Sequence, residues 1–272
     1  MRMNEMNREG ILSAERIVVK IGTHSLLNSQ NQINYNRIDR LALALSTLIQ
    51  EGKEVILVTS GAIGVGSVKM GLTSRPTDMA SQQATAAVGQ VALMNLYSRS
   101  FNYYSQFIGQ ILLTRDIIDF PDSYNNYKNA MNALLGQKIL PIINENDAVA
   151  VDEMDHQTRF GDNDTLSALV ASTMDADLLI FLTDVDGFYN DNPKRNPDAV
   201  RFDVLHEVTD DLLDMAKGDV SAFSTGGMET KLTAANESLK SGQMTVIMSS
   251  EDPMQILDLV KGESVGTLFL PN

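Results

Sequence analysis

The sequence has no cysteine. No disulfide, thiolate nucleophile or cysteine-bound zinc can form, and the reducing cytoplasm is the expected compartment. Tryptophan is also absent, and histidine occurs only three times, at His24, His156 and His206. Their spacing matches no metal site, so surface or loop positions are expected and no protein metal ligand is assigned. Positive charge is scarce: 21 Lys plus Arg stand against 35 Asp plus Glu, a net charge of −14. That balance argues against a general nucleic-acid or anionic-membrane surface. A phosphate ligand would need a local cationic spot in a repelling background. Long apolar runs are missing too. Runs such as 178–182 fall far short of the roughly 20 residues that cross a bilayer, and Met1 to Arg16 holds no signal-peptide core.

What remains is ample for a core: 272 residues, 43% of them hydrophobic. Short apolar runs predict strands at 17–21, 55–58, 108–113, 139–143, 178–182, 245–248 and 266–270. Pro141 inside the fourth run removes one ladder hydrogen bond. Asn34 reads as the cap of a helix with Ile38, Leu41, Leu45 and Leu48 on one face. Further helices are predicted at 63–70 despite Gly64 and Gly66, at 80–103, 123–135, from 164, at 209–216, 228–240 and 253–261. Ala84, Ala86, Ala87 and Gly89 would let the 80–103 helix pack closely, and Tyr103-Tyr104 reads as packing. Residues 186–207 read as a long loop or hairpin. Strands alternating with helices predict an α/β sandwich with a mostly parallel sheet. Residues 1–15 read as a loose extension and 16–272 as one domain. Within it, a functional division is expected near residue 175.

Five stretches carry candidate chemistry. Lys20 lies near the end of an apolar strand, a costly place unless it faces a counter-charge; otherwise it marks an edge strand. Thr59-Ser60-Gly61-Ala62 leaves a strand for a helix and can offer backbone N–H groups to an anion, or is a simple turn. Thr225-Gly226-Gly227-Met228-Glu229-Thr230-Lys231 opens a helix with two glycines and places a lysine one turn on. It can cradle phosphates or be a capped loop, and it is neither a P-loop nor a G-x-G-x-x-G fingerprint. Thr183-Asp184 ends a strand and does not fit a calcium loop. The 139–171 stretch frames a loop between Asn144-Glu145-Asn146-Asp147 and Gly161-Asp162-Asn163-Asp164, with Asp or Asn as helix cap. Ligands sit at such carboxyl strand ends in open parallel sheets.

In order along the chain, VVKIGTHSLL, VTSGAIGVG, QQATAAVGQ, GQILLTRDI, INENDAVA, FGDNDTLSALVA, LTDVDGFYNDNP and STGGMETK together resemble the amino acid kinase family. INENDAVA followed by FGDNDTLSALVA resembles its glutamate-phosphorylating branch. The likeness runs from about residue 16 to 270. It implies a three-layer α/β/α sandwich around a mainly parallel, about eight-stranded sheet. It also implies ATP-dependent phosphorylation of the L-glutamate γ-carboxylate to L-glutamate 5-phosphate, the first step of proline synthesis, with Mg²⁺. By the same likeness Lys20 contacts the ATP phosphates, and Ser60, Asp147 and Asn163 bind glutamate. Thr183, Asp184 and Thr225 to Lys231 line the nucleotide site, and Asp164 orients the catalytic lysines Lys20 and Lys231. A homo-oligomer and feedback by proline are implied as well. His24 stands where the family commonly has serine, which puts a hydroxyl contact there in question. Many members carry a C-terminal PUA domain; with the chain ending at Asn272, a short form is expected. The loop Val151 to Arg159 is open between a lid and a proline sensor. The alternatives are acetylglutamate or carbamate as acceptor, or a nucleotide-binding sensor without chemistry.

Overall fold

A computed structural model describes residues 8–150, 152–153, 156–157, 162–193, 195–216 and 227–272. Its strands are β1 (Arg16–Ile21), β2 (Glu54–Thr59), β3 (Ile108–Leu113), β4 (Leu140–Glu145), β5 (Asp152–Glu153), β6 (His156–Gln157), β7 (Leu178–Thr183), β8 (Val204–Leu205), β9 (Met244–Ser249) and β10 (Thr267–Phe269). Eight of them form one sheet in the order β3-β4-β2-β1-β7-β9-β10-β8. All neighbours pair in parallel except β9 and β10. The chain winds outward from β1 through β2, and β7 then takes the opposite side of β1. The carboxyl ends of β1, β2, β4, β7 and β9 therefore share one edge, where an open parallel sheet binds ligands.

Alternation along the strands sorts side chains into two buried layers. Ile17, Val19 and Ile21 of β1 join Val55 and Leu57 of β2 on one face. That face is covered by the helices Tyr35–Gln50 and Met79–Asn102. Val18, Ile56, Val58, Ile143 and Phe181 lie on the other, under Pro121–Gly136, Asn163–Thr173 and Met228–Lys240. A helix layer on each side of the sheet makes the expected three-layer sandwich.

Local chemistry explains most element ends. Asn34 caps its helix by accepting from Arg37 N at 3.1 Å, as the sequence predicts. Pro141 is tolerated inside the buried β4 because the pairing with β2 begins only at Ile142, so little ladder is lost there.

Three expectations need correction. The segment from Arg8 is not loose: Ile11 and Ala14 are buried. Arg8, 2% exposed, pairs with Asp203 at 2.8 Å and donates to the carbonyls of Val265 and Gly266. Residues 186–207, expected as a loop or hairpin, do close on themselves through an antiparallel bridge of Tyr189 with Arg201, but they also carry a strand of the main sheet, β8. Tyr104 packs on the core but Tyr103 is exposed. Of the 151–159 loop, the described part pairs β5 with β6 antiparallel; the rest lies outside the described residues.

Candidate active site

The residue after Val19 in β1 faces the second layer, so alternation alone aims Lys20 at the helices Asn163–Thr173 and Met228–Lys240. Asp162 caps the first of these, accepting from Thr165 N at 2.8 Å. This fixes Asp164 in the helix's opening turn, where the dipole favours a negative charge. Lys20 Nζ lies 2.5 Å from Asp164 Oδ1. Lys231 Nζ lies 3.2 Å from Asp164 Oδ2, and Thr230 Oγ1 donates to that same oxygen at 2.7 Å. Lys231 also donates to the Gly227 carbonyl at 3.3 Å.

All three charges are buried: Lys20 and Lys231 are 7% exposed and Asp164 is 1%. Burial by itself would raise the Asp164 pKa. Attraction to Lys20 and then Lys231, with hydrogen bonds from Lys20 and Thr230, outweighs it and holds the carboxyl down at about 2. Burial pulls the Lys231 pKa below its ordinary value; Asp164 opposes this and Lys20 adds to it. Two cations on one anion leave a net positive spot in a chain of charge −14. It lies at the N-termini of two helices, of 11 and 13 residues, whose free N–H groups add to the attraction for anions. A phosphate ligand would need such a local cationic spot against the overall charge.

Beside it runs a network of amides. Asn163 Nδ2 lies within hydrogen-bond distance of three acceptors: Ser60 Oγ at 2.8 Å, the Thr59 carbonyl at 3.1 Å and Asn144 Oδ1 at 3.1 Å. Asn144 Oδ1 also accepts from Glu145 N at 2.9 Å, and Asn144 Nδ2 donates to Gln90 Oε1 at 2.9 Å. Among the described residues, Asn163 Oδ1 and Gln90 Nε2 are buried without a hydrogen-bond partner. Ser60 is held by its own N–H to the Ile21 carbonyl at 3.0 Å. The turn after it needs Gly61, whose φ is 103°, a region that side-chain-bearing residues avoid.

The other expected residues fall around this core. Thr183 ends β7 at the same edge, and its hydroxyl donates to Asp184 Oδ1 at 3.3 Å. A polar cavity of 340 Å³ opens beside Asp184, lined also by His24, Arg37, Ser250 and Glu251. A larger one of 420 Å³, lined by Asp177, Gln243 and Met244, lies at the opposite end of the sheet and serves none of these groups. Asp147 sits half-buried in the turn after β4. Met228 packs against the second core layer, leaving its backbone for any ligand, and Glu229 is exposed. Thr225 and Gly226 lie outside the described residues. His24 is exposed, while Ser25 is buried. Gln90 is the residue that sequence reasoning missed.

The molecule has known counterparts. A family model described as the amino acid kinase family matches residues 15–249. A glutamate 5-kinase of Lactococcus lactis subsp. lactis is 54% identical over 264 residues, 97% of this chain and 98% of its own. A glutamate 5-kinase of Listeria innocua is 50% identical over 262 residues, 96% of this chain and 95% of its own. Among solved structures, a carbamate kinase from Giardia lamblia bound to AMP-PNP aligns with a TM-score of 0.66 at 18% identity, covering 96% of this chain and 100% of that one. At such identity it speaks for the fold alone. The matched segment takes in every parallel strand from β1 to β9 and both helices that bring Asp164 and Lys231 together, and the chain belongs to the amino acid kinase family.

Proposed function

We infer that the protein phosphorylates the γ-carboxylate of L-glutamate with ATP, giving L-glutamate 5-phosphate, the first step of proline synthesis. The observation that carries this is likeness to glutamate 5-kinases at about half identity along almost the whole chain. The buried lysine–aspartate cluster supplies what the chemistry requires.

Glutamate's side-chain carboxyl, with a pKa of about 4.3, is ionised at neutral pH and needs no general base. The obstacle is bringing an anion against polyanionic ATP. Positioning and charge stabilisation then do most of the catalytic work. In this reading Lys20 and Lys231 act on the phosphates from two elements while Asp164 keeps both ammonium groups in place. As the γ-phosphoryl group leaves ADP for the carboxylate oxygen, the two cations meet the charge that spreads over it.

Ser60, Asp147 and Asn163 hold glutamate. Asn163 Oδ1, buried and without a hydrogen-bond partner among the described residues, is suited to accept from the α-ammonium. Thr183, Asp184 and the Gly227–Lys231 turn, with Thr225 and Gly226 before it, hold the nucleotide. On this reading the acceptor-binding part is about 16–175 and the nucleotide-binding part about 176–272. Mg²⁺ is taken to be carried on the nucleotide, because magnesium keeps several waters and needs few protein ligands. When bound it neutralises phosphate charge. The reading also takes the protein to be a cytoplasmic homo-oligomer inhibited by proline. The lack of cysteine agrees with that compartment, and no helix among the described residues is long and apolar enough to cross a membrane.

The decisive experiment is a coupled ADP-release assay with ATP, Mg²⁺ and a panel of glutamate, acetylglutamate and carbamate, run with and without proline. Folded protein that turns over ATP with no dependence on glutamate would sink the assignment.

A further inference from the structure

The amide network has two members to which the kinase reading gives no role, Asn144 and Gln90. Gln90 lies on the Met79–Asn102 helix, in the layer opposite to the one that carries Lys231. Its Oε1 accepts from Asn144 Nδ2 at 2.9 Å. The orientation of every amide in the chain follows from two backbone groups. Glu145 N–H must donate, so the Asn144 atom facing it at 2.9 Å is Oδ1, and Nδ2 is left to face Gln90. The Thr59 carbonyl must accept, so the Asn163 atom facing it at 3.1 Å is Nδ2. Asn163 Oδ1 is thereby turned away from all three of its neighbours.

Gln90 has little reason to be there for stability. Among the described residues its Nε2 is buried with no partner, and such a group is costly relative to an apolar side chain. What its one hydrogen bond does is hold Asn144. Without it, Asn144 Nδ2 would be left buried and unpaired, and the side chain would rotate to seek another acceptor. The Asn144 Oδ1 that steadies Asn163 would go with it.

We propose that Gln90 is a positioning residue for the acceptor site: through Asn144 it fixes the Asn163 amide so that Oδ1 faces the α-ammonium group of the amino-acid substrate. This rests on the glutamate kinase reading. Gln90 touches neither ATP nor the lysine cluster, so its effect falls on acceptor binding.

The test is steady-state kinetics on the full chain. Glutamate-dependent turnover by the unaltered protein comes first; without it both the reading and this inference fall. With turnover present, Gln90→Leu should raise the glutamate KM roughly tenfold, the equivalent of one lost hydrogen bond of the stronger kind. The ATP KM should stay within about twofold. In an Asn163→Ala background the same substitution should add nothing, because the amide it positions is gone. If Gln90→Leu does not fold, Gln90→Asn, too short to reach Asn144, carries the same comparisons. An unchanged glutamate KM, an equal rise in both KM values, or a full effect persisting without Asn163 overturns the inference and leaves the kinase assignment intact.

Discussion

Lys20 Nζ and Asp164 Oδ1 stand 2.5 Å apart, with side chains 8% and 1% exposed. The contact joins the end of the first strand to the opening turn of a helix far along the chain, and Lys231 closes on the other carboxylate oxygen. One anion therefore serves two cations that would otherwise repel each other out of water. Removing it should be severe. Breaking a buried pair by deleting one partner costs roughly 3–5 kcal/mol, and here two lysines lose their counter-charge. Asp164→Ala is expected to lower the urea midpoint accordingly and to abolish measurable turnover. A stability within about 1 kcal/mol of the parent would show that the cluster is not held as described.

Stability near the acid end follows from the same carboxyl. Its folded pKa, about 2, lies below the roughly 3.9 of an unfolded aspartate. Between these values the unfolded chain binds the extra proton, so this contribution is fully present above about pH 4 and drains away as pH falls towards 2. It amounts to about 2–3 kcal/mol. Urea melts across this window should show a shallower acid slope in Asp164→Asn than in the parent; parallel slopes would assign the titration to other carboxyls.

Lys231 carries the alkaline counterpart. Burial lowers its pKa, only partly offset by Asp164. The free enzyme should therefore lose this charge, and kcat/KM with it, below the ordinary lysine value of 10.5. Arginine stays protonated through that range, so Lys231→Arg should move the alkaline limb upward even if activity is reduced. Lys231→Ala should cut kcat roughly 10²-fold or more while remaining folded. A limb that does not move in Lys231→Arg, or near-normal kcat in Lys231→Ala, would remove this lysine from the mechanism.

How far these relationships could be read in advance varies along the chain. The central strands could, because each is an apolar run long enough to be buried on both faces. β8 could not: two half-buried residues inside a polar stretch give no period to detect. The antiparallel entry of β10 was equally hidden, since strand direction is set by the chain's path and not by its three residues. Arg8 looks like one charge among many in a polar leader; its partners at Asp203, Val265 and Gly266 come from the far end of the sequence. For the site, β1 alternation already aims Lys20 away from Val19, and the family likeness supplied Asp164 and Lys231. Gln90 closes the QQATAAVGQ motif, but nothing in the sequence gives it a role beyond a polar position on a long helix. It gains meaning only when the order β3-β4-β2 sets Asn144 of β4 beside it.

Glycine in the middle of a helix normally weakens it, by about 1 kcal/mol against alanine, and on propensity alone Gly89→Ala would stabilise. The packing reverses the sign. A Cβ on Gly89 would lie 1.8 Å from the Ala62 carbonyl oxygen and 2.6 Å from Gly66 N, and one on Gly66 would lie 2.1 Å from the Thr85 carbonyl oxygen. The helices Ala62–Met70 and Met79–Asn102 thus touch backbone to backbone, and no side chain can rotate to relieve the clash. Overpacking of this kind costs about 1–3 kcal/mol or more, beyond any gain in helix propensity. It also reaches the site, because the displaced helix begins directly after Ser60 and Gly61. Gly89→Ala should lower the melting temperature and raise the glutamate KM more than the ATP KM. Gly136→Ala, at the end of the Pro121–Gly136 helix with nothing within 4 Å of its Cβ position, should be neutral or mildly stabilising in the same measurement. Equal melting temperatures for the two variants would mean that the two helices are not in backbone contact.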